Sequence, residues 1–225
     1  MPIFFDWTFI LLVPALIMTI WAQSKIKKAF DTYSRVSNYR GLTGAEAARQ
    51  ILQSSGINNV PVERVAGNLT DHYDPRTKVV RLSESVYDSD SIAAVGVAAH
   101  EVGHAIQHNS GYFPIKVRNA IVPVVNIGSY AAIPLFIIGL LFSFPMLVTA
   151  GIYLFAGVVG FHMITLPVEI NASTRALTVL RTKGILEQNE IVGARKVLTA
   201  AAMTYMAAAL MAIMNLLRLI LISRR

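Results

Sequence analysis

Two histidines four residues apart, with a glutamate beside the first, stand in the stretch His100-Glu101-Val102-Gly103-His104. This is a HExxH pattern. On a helix, positions i and i+4 share a face, so both imidazoles can reach one zinc ion at about 2.0–2.1 Å. Glu101 lies one step round from His100, beside the metal rather than on it. There its carboxylate can take a proton from water that zinc has acidified to a pKa of about 7. The pattern therefore points to His100 and His104 as metal ligands, Glu101 as the catalytic base and zinc as the cofactor. The chain has no cysteine, which excludes disulfides and thiolate metal sites and leaves His, Asp or Glu to complete the set. The alternative is a pair of satisfied core histidines. Against it, two histidines and a glutamate on a buried helix are costly without a partner.

A catalytic zinc needs a third protein ligand and one open position. His108 does not qualify: eight residues of helix rise about 12 Å, too far for three side chains on one straight helix to converge. The metzincin spacing fails too, with Gln107 at its glycine position and Ser110 at its third histidine. His108 reads as a helix C-terminal residue. Glu169 is the better third ligand. It ends a long apolar run, in Leu166-Pro167-Val168-Glu169-Ile170-Asn171-Ala172-Ser173, and a carboxylate at a membrane boundary on an apolar helix is costly and usually functional. Peptide hydrolysis also needs a donor for the oxyanion. Asp71-His72-Tyr73-Asp74 offers one, although these residues also suit a plain turn. Arg175, His162 and Tyr205 are further candidates, with His162 about 10 Å along the axis from Glu169 and better suited to a polar contact within a helix bundle. Asn68-Leu69-Thr70 matches a glycosylation sequon, without meaning in a cytoplasmic loop.

The elements that must hold these groups follow from periodicity. Residues 91–108 predict a helix, with Asp88, Ser89 and Asp90 as cap candidates and Gly111 as its stop. It is apolar almost all round and so belongs in an interior, yet its unbroken apolar part, residues 92–99, is too short for a bilayer. Thr43-Gly44-Ala45-Glu46 is a capping box opening a helix that ends near Ser54-Ser55-Gly56. Residues 60–65 and 77–82 read as strands, with turn-rich residues 67–75 between them. A free edge on the 77–82 strand could pair with an extended peptide substrate.

The rest of the 225-residue chain is 54% hydrophobic and 15% charged, against about 25% charged in a soluble domain. The apolar residues fall in four runs, 7–22, 121–144, 146–168 and 198–222. Spanning hydrocarbon takes about 20 apolar residues, and the first run reaches that only with Phe4, Phe5 and Asp6. It is not a signal peptide: no positive n-region precedes it, and Lys25, Lys27 and Lys28 follow it as they follow an anchor. The net charge of +7 and pI near 9.8 reflect basic residues flanking spans, not a nucleic-acid surface. The positive flank puts residues 24–118 in the cytoplasm and Met1 outside. The third span returns Glu169 to the cytoplasmic face with Arg175, Arg181 and Lys183. A fourth span would carry residues 223–225 outward, where Arg218, Arg224 and Arg225 fit the rule poorly, so the last segment is either that span or one that bends back or lies in the interface.

The stretch HEVGHAIQH with LPVEINASTRAL downstream resembles the bacterial neutral zinc metallopeptidases of the YugP-like membrane type. The resemblance runs through GLTGAEAARQIL, DHYDPRTKVVRLSESVY and the last span. It implies a relation to the HtpX-like and CAAX-prenyl gluzincins, whose downstream ExxAD supplies the third ligand. Glu169 and Ala172 match that pattern, and Ser173 stands at the aspartate position. The aspartate would orient a ligating histidine; a serine holds a ring more weakly. The expected protein is a mainly α membrane protein, with about four transmembrane helices and a small α+β gluzincin-like zinc peptidase domain. Its parts are a first span at 1–23, a cytoplasmic zinc peptidase domain at 24–118, a transmembrane hairpin at 119–168, a cytoplasmic segment with the third ligand at 169–197, and a fourth transmembrane or interfacial helix at 198–225. It is a multi-pass protein of the inner membrane, a zinc metalloendopeptidase acting on protein or peptide substrates at or near the bilayer, with no nucleic-acid partner and with oligomers left open. Two rival readings remain: an intramembrane site-two-type protease, which needs a distant aspartate ligand, and a non-catalytic scaffold with a structural zinc, which has no need of Glu101.

Overall fold

The computed structural model describes residues 7–224. Met1, Phe4, Phe5, Asp6 and Arg225, on which parts of the span and orientation expectations rest, lie outside the described residues. A 3-10 segment, Trp7–Leu12, leads into α1 (Val13–Tyr33). Then come α2 (Gly44–Ser54), β1 (Val62–Val65), β2 (His72–Asp74), β3 (Val79–Ser83), α3 (Glu84–Tyr87) and α4 (Ile92–Asn109). Three long helices complete the chain, α5 (Phe113–Leu141), α6 (Pro145–Thr182) and α7 (Gln188–Ser223). Four helical segments, Trp7–Tyr33, Phe113–Leu141, Pro145–Thr182 and Gln188–Ser223, are long and apolar enough to cross a bilayer. With one small three-stranded sheet, this is the expected mainly α membrane protein with a small α+β part.

The chain divides into two compact units. One comprises residues 1–23, 116–167 and 203–225 and carries most of the long apolar helical stretches. Many of its large apolar side chains face outward: Ile17, Ile127, Tyr130, Met146 and Tyr153 are all more than half exposed. Such a surface belongs against lipid, where burial inside protein is not needed to shield it. α5 and α6 are separated at Phe142-Ser143-Phe144, where Ser143 takes a left-handed φ of 55°. This turn falls between the second and third apolar runs, inside the expected hairpin at 119–168.

The second unit comprises residues 24–115 and 168–202. Its first helix after α1 starts as its sequence dictates. The Thr43 side chain accepts from the Glu46 N–H, and Glu46 Oε2 accepts from the Thr43 N–H at 2.8 Å. α2 is alanine-rich on its inner face, and Ala45, Ala48 and Ile51 pack in one core with Ala94, Val95 and Ala98 of α4. Small side chains on both helices permit this close packing. Val80 and Leu82 of β3 and Leu180 and Ile191 of α6 and α7 close the same core. The cap of α4 is Ser91, whose Oγ accepts from Ala94 N–H at 3.2 Å. The three residues expected to cap it do other work: Asp88 ends α3, Ser89 bonds to Ser91, and the Asp90 carbonyl receives the Asn38 N–H.

The sheet order is β1-β3-β2, with β1 parallel and β2 antiparallel to β3. Two expectations change here. The turn-rich stretch 67–75 contains β2, whose three residues are too few and too polar to show alternation. β3 is then the central strand, paired on both sides. It has no free edge, so an extended peptide cannot add to it as expected. Among the described residues, the outer edges of this sheet belong to β1 and β2.

Candidate metal centre

α4 and α6 meet where both helices have almost no side chain. A Cβ built on Gly103 would lie 2.6 Å from the Ala172 carbonyl oxygen. That contact brings α4, one turn of which carries His100 and His104, against the start of the α6 segment that carries Glu169. Among the described residues, His100, His104 and Glu169 form a group whose ligand atoms all lie within 4.8 Å of one another. Glu169 Oε2 is 3.2 Å from His100 Nε2 and 3.4 Å from His104 Nε2. In a tetrahedron with bonds of 2.0–2.1 Å, neighbouring ligand atoms stand about 3.3 Å apart. The two carboxylate–imidazole separations match that edge. Glu169 is 2% exposed and His104 7%, with His100 partly buried, so a carboxylate and two imidazoles converge largely out of water, where a divalent cation suits them.

Each imidazole is held from behind by its other nitrogen. His100 Nδ1 is 3.0 Å from Ser173 Oγ, and His104 Nδ1 is 3.0 Å from Gln107 Oε1. Ser173, at the position where the resemblance expects an aspartate, is the side chain that His100 Nδ1 meets. Gln107 is fully buried and donates through Nε2 to the Val168 carbonyl at 2.8 Å and to Asn171 Oδ1 at 3.0 Å. Burial alone would push the His104 imidazolium down. The hydrogen bond to Glu169, the Glu101 and Glu169 charges and the Gln107 contact outweigh it and hold His104 above the usual histidine range.

Glu101 is 9% exposed and has no hydrogen-bond partner among the described residues. Its charge acts on His104. A nearly buried carboxylate without a protein partner is left to a reactant or a water. The other candidates separate. His108 lies outside the donor group and binds the Tyr73 hydroxyl through Nδ1 at 2.7 Å, as a helix C-terminal residue can. Burial, and then the neighbouring Asp74 charge, raise the Tyr73 phenol above its ordinary value. Asp71 accepts from the Ser83 N–H and hydroxyl, and Asp74 from the Arg76 N–H and Thr77 hydroxyl, so both carboxylates serve the local fold. His72 is exposed, with Nδ1 at 2.8 Å from the Thr70 carbonyl oxygen. Arg175 donates to Asn171 Oδ1 at 2.7 Å and stacks over the Tyr112 ring. His162 and Tyr205 belong to the other unit. Asn68, Leu69 and Thr70 sit between β1 and β2.

Gln107, and Asn171 behind it, are the residues that sequence reasoning passed over. Gln107 drew notice only for where it stood in a spacing that failed. The available signal was its position three residues after His104, one turn along the same helix face.

A largely buried His–His–Glu donor set, with four bilayer-length helices among the described residues, defines a membrane metalloprotein. Over residues 8–224 the sequence matches the family described as "Putative neutral zinc metallopeptidase", and the chain belongs to that family. It is 50% identical over 212 residues, 94% of this chain and 94% of the other, to the protein described as "Putative membrane protease YugP" from Bacillus subtilis (strain 168). No solved structure matches the chain. The cofactor of the family is zinc, and His100, His104 and Glu169 are positioned to bind it.

Proposed function

We propose that this chain is a membrane-bound zinc metalloendopeptidase of gluzincin type. His100, His104 and Glu169 hold the metal and Glu101 is the general base. The observation that carries this is the convergence of three donor atoms within 4.8 Å, with both carboxylate–imidazole separations at a tetrahedral edge and an unpartnered carboxylate on the same turn. When bound, zinc polarises the scissile carbonyl and acidifies water. Glu101 takes the proton from the attacking water as its oxygen bonds to the carbonyl carbon. It then delivers that proton to the leaving nitrogen as the peptide bond breaks. Ser173 and Gln107 keep the two rings aimed while this happens.

The substrate is a protein or peptide at or near the bilayer. The active site faces the cytoplasm at the inner membrane. Lys25, Lys27 and Lys28 after the first span, and Arg175, Arg181 and Lys183 after the third, support that side for both halves of the site. A glutamate third ligand argues against the site-two-type arrangement, which uses an aspartate. A structural zinc would leave Glu101 without a task.

The test is zinc analysis of the purified chain with casein or peptide cleavage. Glu101→Gln should retain about one zinc and lose roughly 10²–10⁴-fold in turnover. Near-wild-type cleavage by this variant would sink the proteolytic reading.

A further inference from the structure

The chemistry behind His104 runs in one direction. Arginine cannot accept a hydrogen bond. Arg175 Nε donates to Asn171 at 2.7 Å, so the Asn171 atom at that position must be its carbonyl oxygen. The same oxygen lies 3.0 Å from the Gln107 amide, which must therefore present its NH₂ there. The Val168 carbonyl, 2.8 Å away, demands the same orientation from a second side. Gln107 is then left with its carbonyl oxygen toward His104 Nδ1, 3.0 Å distant, and an oxygen can only accept. His104 must carry its proton on Nδ1. Nε2, 3.4 Å from Glu169 Oε2, is then the nitrogen left to ligate a metal, once any proton it shares with that carboxylate is released. His100 has no such constraint, because the Ser173 hydroxyl can donate or accept.

We infer that Arg175 and Asn171, acting through Gln107, are positioning residues that fix the tautomer of His104. The inference rests on the reading of His104 as a zinc ligand. Every polar group in the relay lies on α4 or on the α6 segment from Val168 to Arg175, both within one unit. Arg175 thus reaches His104 through two amide side chains without touching it. A neutral amide relay raises ligand basicity less than a carboxylate would, but it excludes the wrong tautomer outright.

The full-length protein in detergent or lipid serves for the test. Zinc dissociation constants are measured by competition with a chromogenic chelator. Gln107→Leu removes the acceptor and should weaken zinc binding about 10–100-fold. Arg175→Met should weaken it by a smaller factor, and Arg175→Lys, which still only donates, should restore most of the loss. The double variant Gln107→Leu/Arg175→Met should bind no more weakly than Gln107→Leu alone, since the arginine acts through the glutamine. Additive losses, or an unchanged constant for Arg175→Met, would overturn the relay. Nitrogen-15 histidine spectra of the zinc-loaded wild type give an independent readout if Gln107→Leu does not fold. They should show the His104 proton on Nδ1, and a proton on Nε2 would refute the proposal. His104→Ala separates the two levels. If it binds zinc like the wild type, the metal reading and the relay both fall. If it loses zinc while Gln107→Leu does not, the relay alone falls.

Discussion

The crossing of α4 and α6 makes a sharp demand on one residue. Gly103→Ala places a Cβ 2.6 Å from the Ala172 carbonyl oxygen, 3.1 Å from its carbon and 3.3 Å from its Cα. All three are rigid backbone atoms of the opposing helix, so no side chain can swing aside. Ordinary contact begins near 3.4 Å, which requires the helices to separate by about 0.8 Å at this point. Zinc–ligand distances tolerate only about ±0.2 Å, and His100 and His104 flank Gly103 on one helix while Glu169 lies on the other. The added methyl should therefore weaken zinc binding at least about tenfold and cut turnover about 10²-fold, the usual effect of a misplacement near 1 Å. Overpacking should also lower stability by about 1–3 kcal/mol. Gly96→Ala is the control on the same helix. Its Cβ would meet the Ala194 Cβ at 3.5 Å, an ordinary contact, and alanine favours helix by about 0.8–1 kcal/mol over glycine. Chelator competition, thermal unfolding and peptide cleavage read all three quantities. If Gly103→Ala binds zinc and cleaves like the wild type while Gly96→Ala does not, the assignment of the crossing point is refuted.

Other expectations follow from the same geometry. Glu169→Ala, His100→Ala and His104→Ala should each lose bound zinc together with activity, measured by metal analysis; full stoichiometry and affinity in Glu169→Ala would require a different third ligand. Asp74, hydrogen-bonded first by Thr77 and then by the Arg76 N–H, has its carboxyl lowered to about 2. A depressed carboxyl contributes stability that is present above its unfolded value near 3.9 and is lost as pH falls through about 2. The β2–β3 turn should therefore loosen across that window, and amide exchange should show Asp74→Asn without this acid-dependent step. Orientation is testable because the chain has no cysteine of its own. Single cysteines replacing Ser89, Ser143 and Ser223 can be probed in whole cells with a membrane-impermeant maleimide. Labelling at Ser143 with protection at Ser89 is expected. Labelling at Ser89 would place the metal centre outside, and Ser223 reports the side on which the last helix ends.

The donor set was legible in the sequence because each part of it is local. The pair His100 and His104 is a helix spacing, and Glu169 is a charge out of place on an apolar run. Three of the four apolar runs declared themselves by length, and the capping box at Thr43 and Glu46 formed as written; the first run is short in apolar residues, and its helix continues past Ala22 to Tyr33. The sheet was less legible. β2 is His-Tyr-Asp, and its membership depends on pairing with Val79, Val80 and Arg81 rather than on any pattern of its own. That pairing is also what moved β3 from an edge to the centre. Gln107 was illegible for another reason: its partners Val168 and Asn171 lie more than sixty residues away, and a glutamine near a helix end has no periodicity to betray burial.

The small residues join these levels. Gly103 is the second of the two unspecified positions inside the histidine pair, and Ala172 lies three residues after Glu169. Neither has chemistry, yet each sits where the two helices touch. Around that contact, His100 meets Glu169 and Ser173, while Gln107 meets Val168 and Asn171. Any wider crossing would lengthen the metal-facing separations and the bonds that aim the rings together. Spacing on each helix supplies the ligands, but the absence of side chains at one point lets two helices share a single ion. The motif and the packing are therefore one constraint, and a substitution that preserves every ligand can still abolish the site.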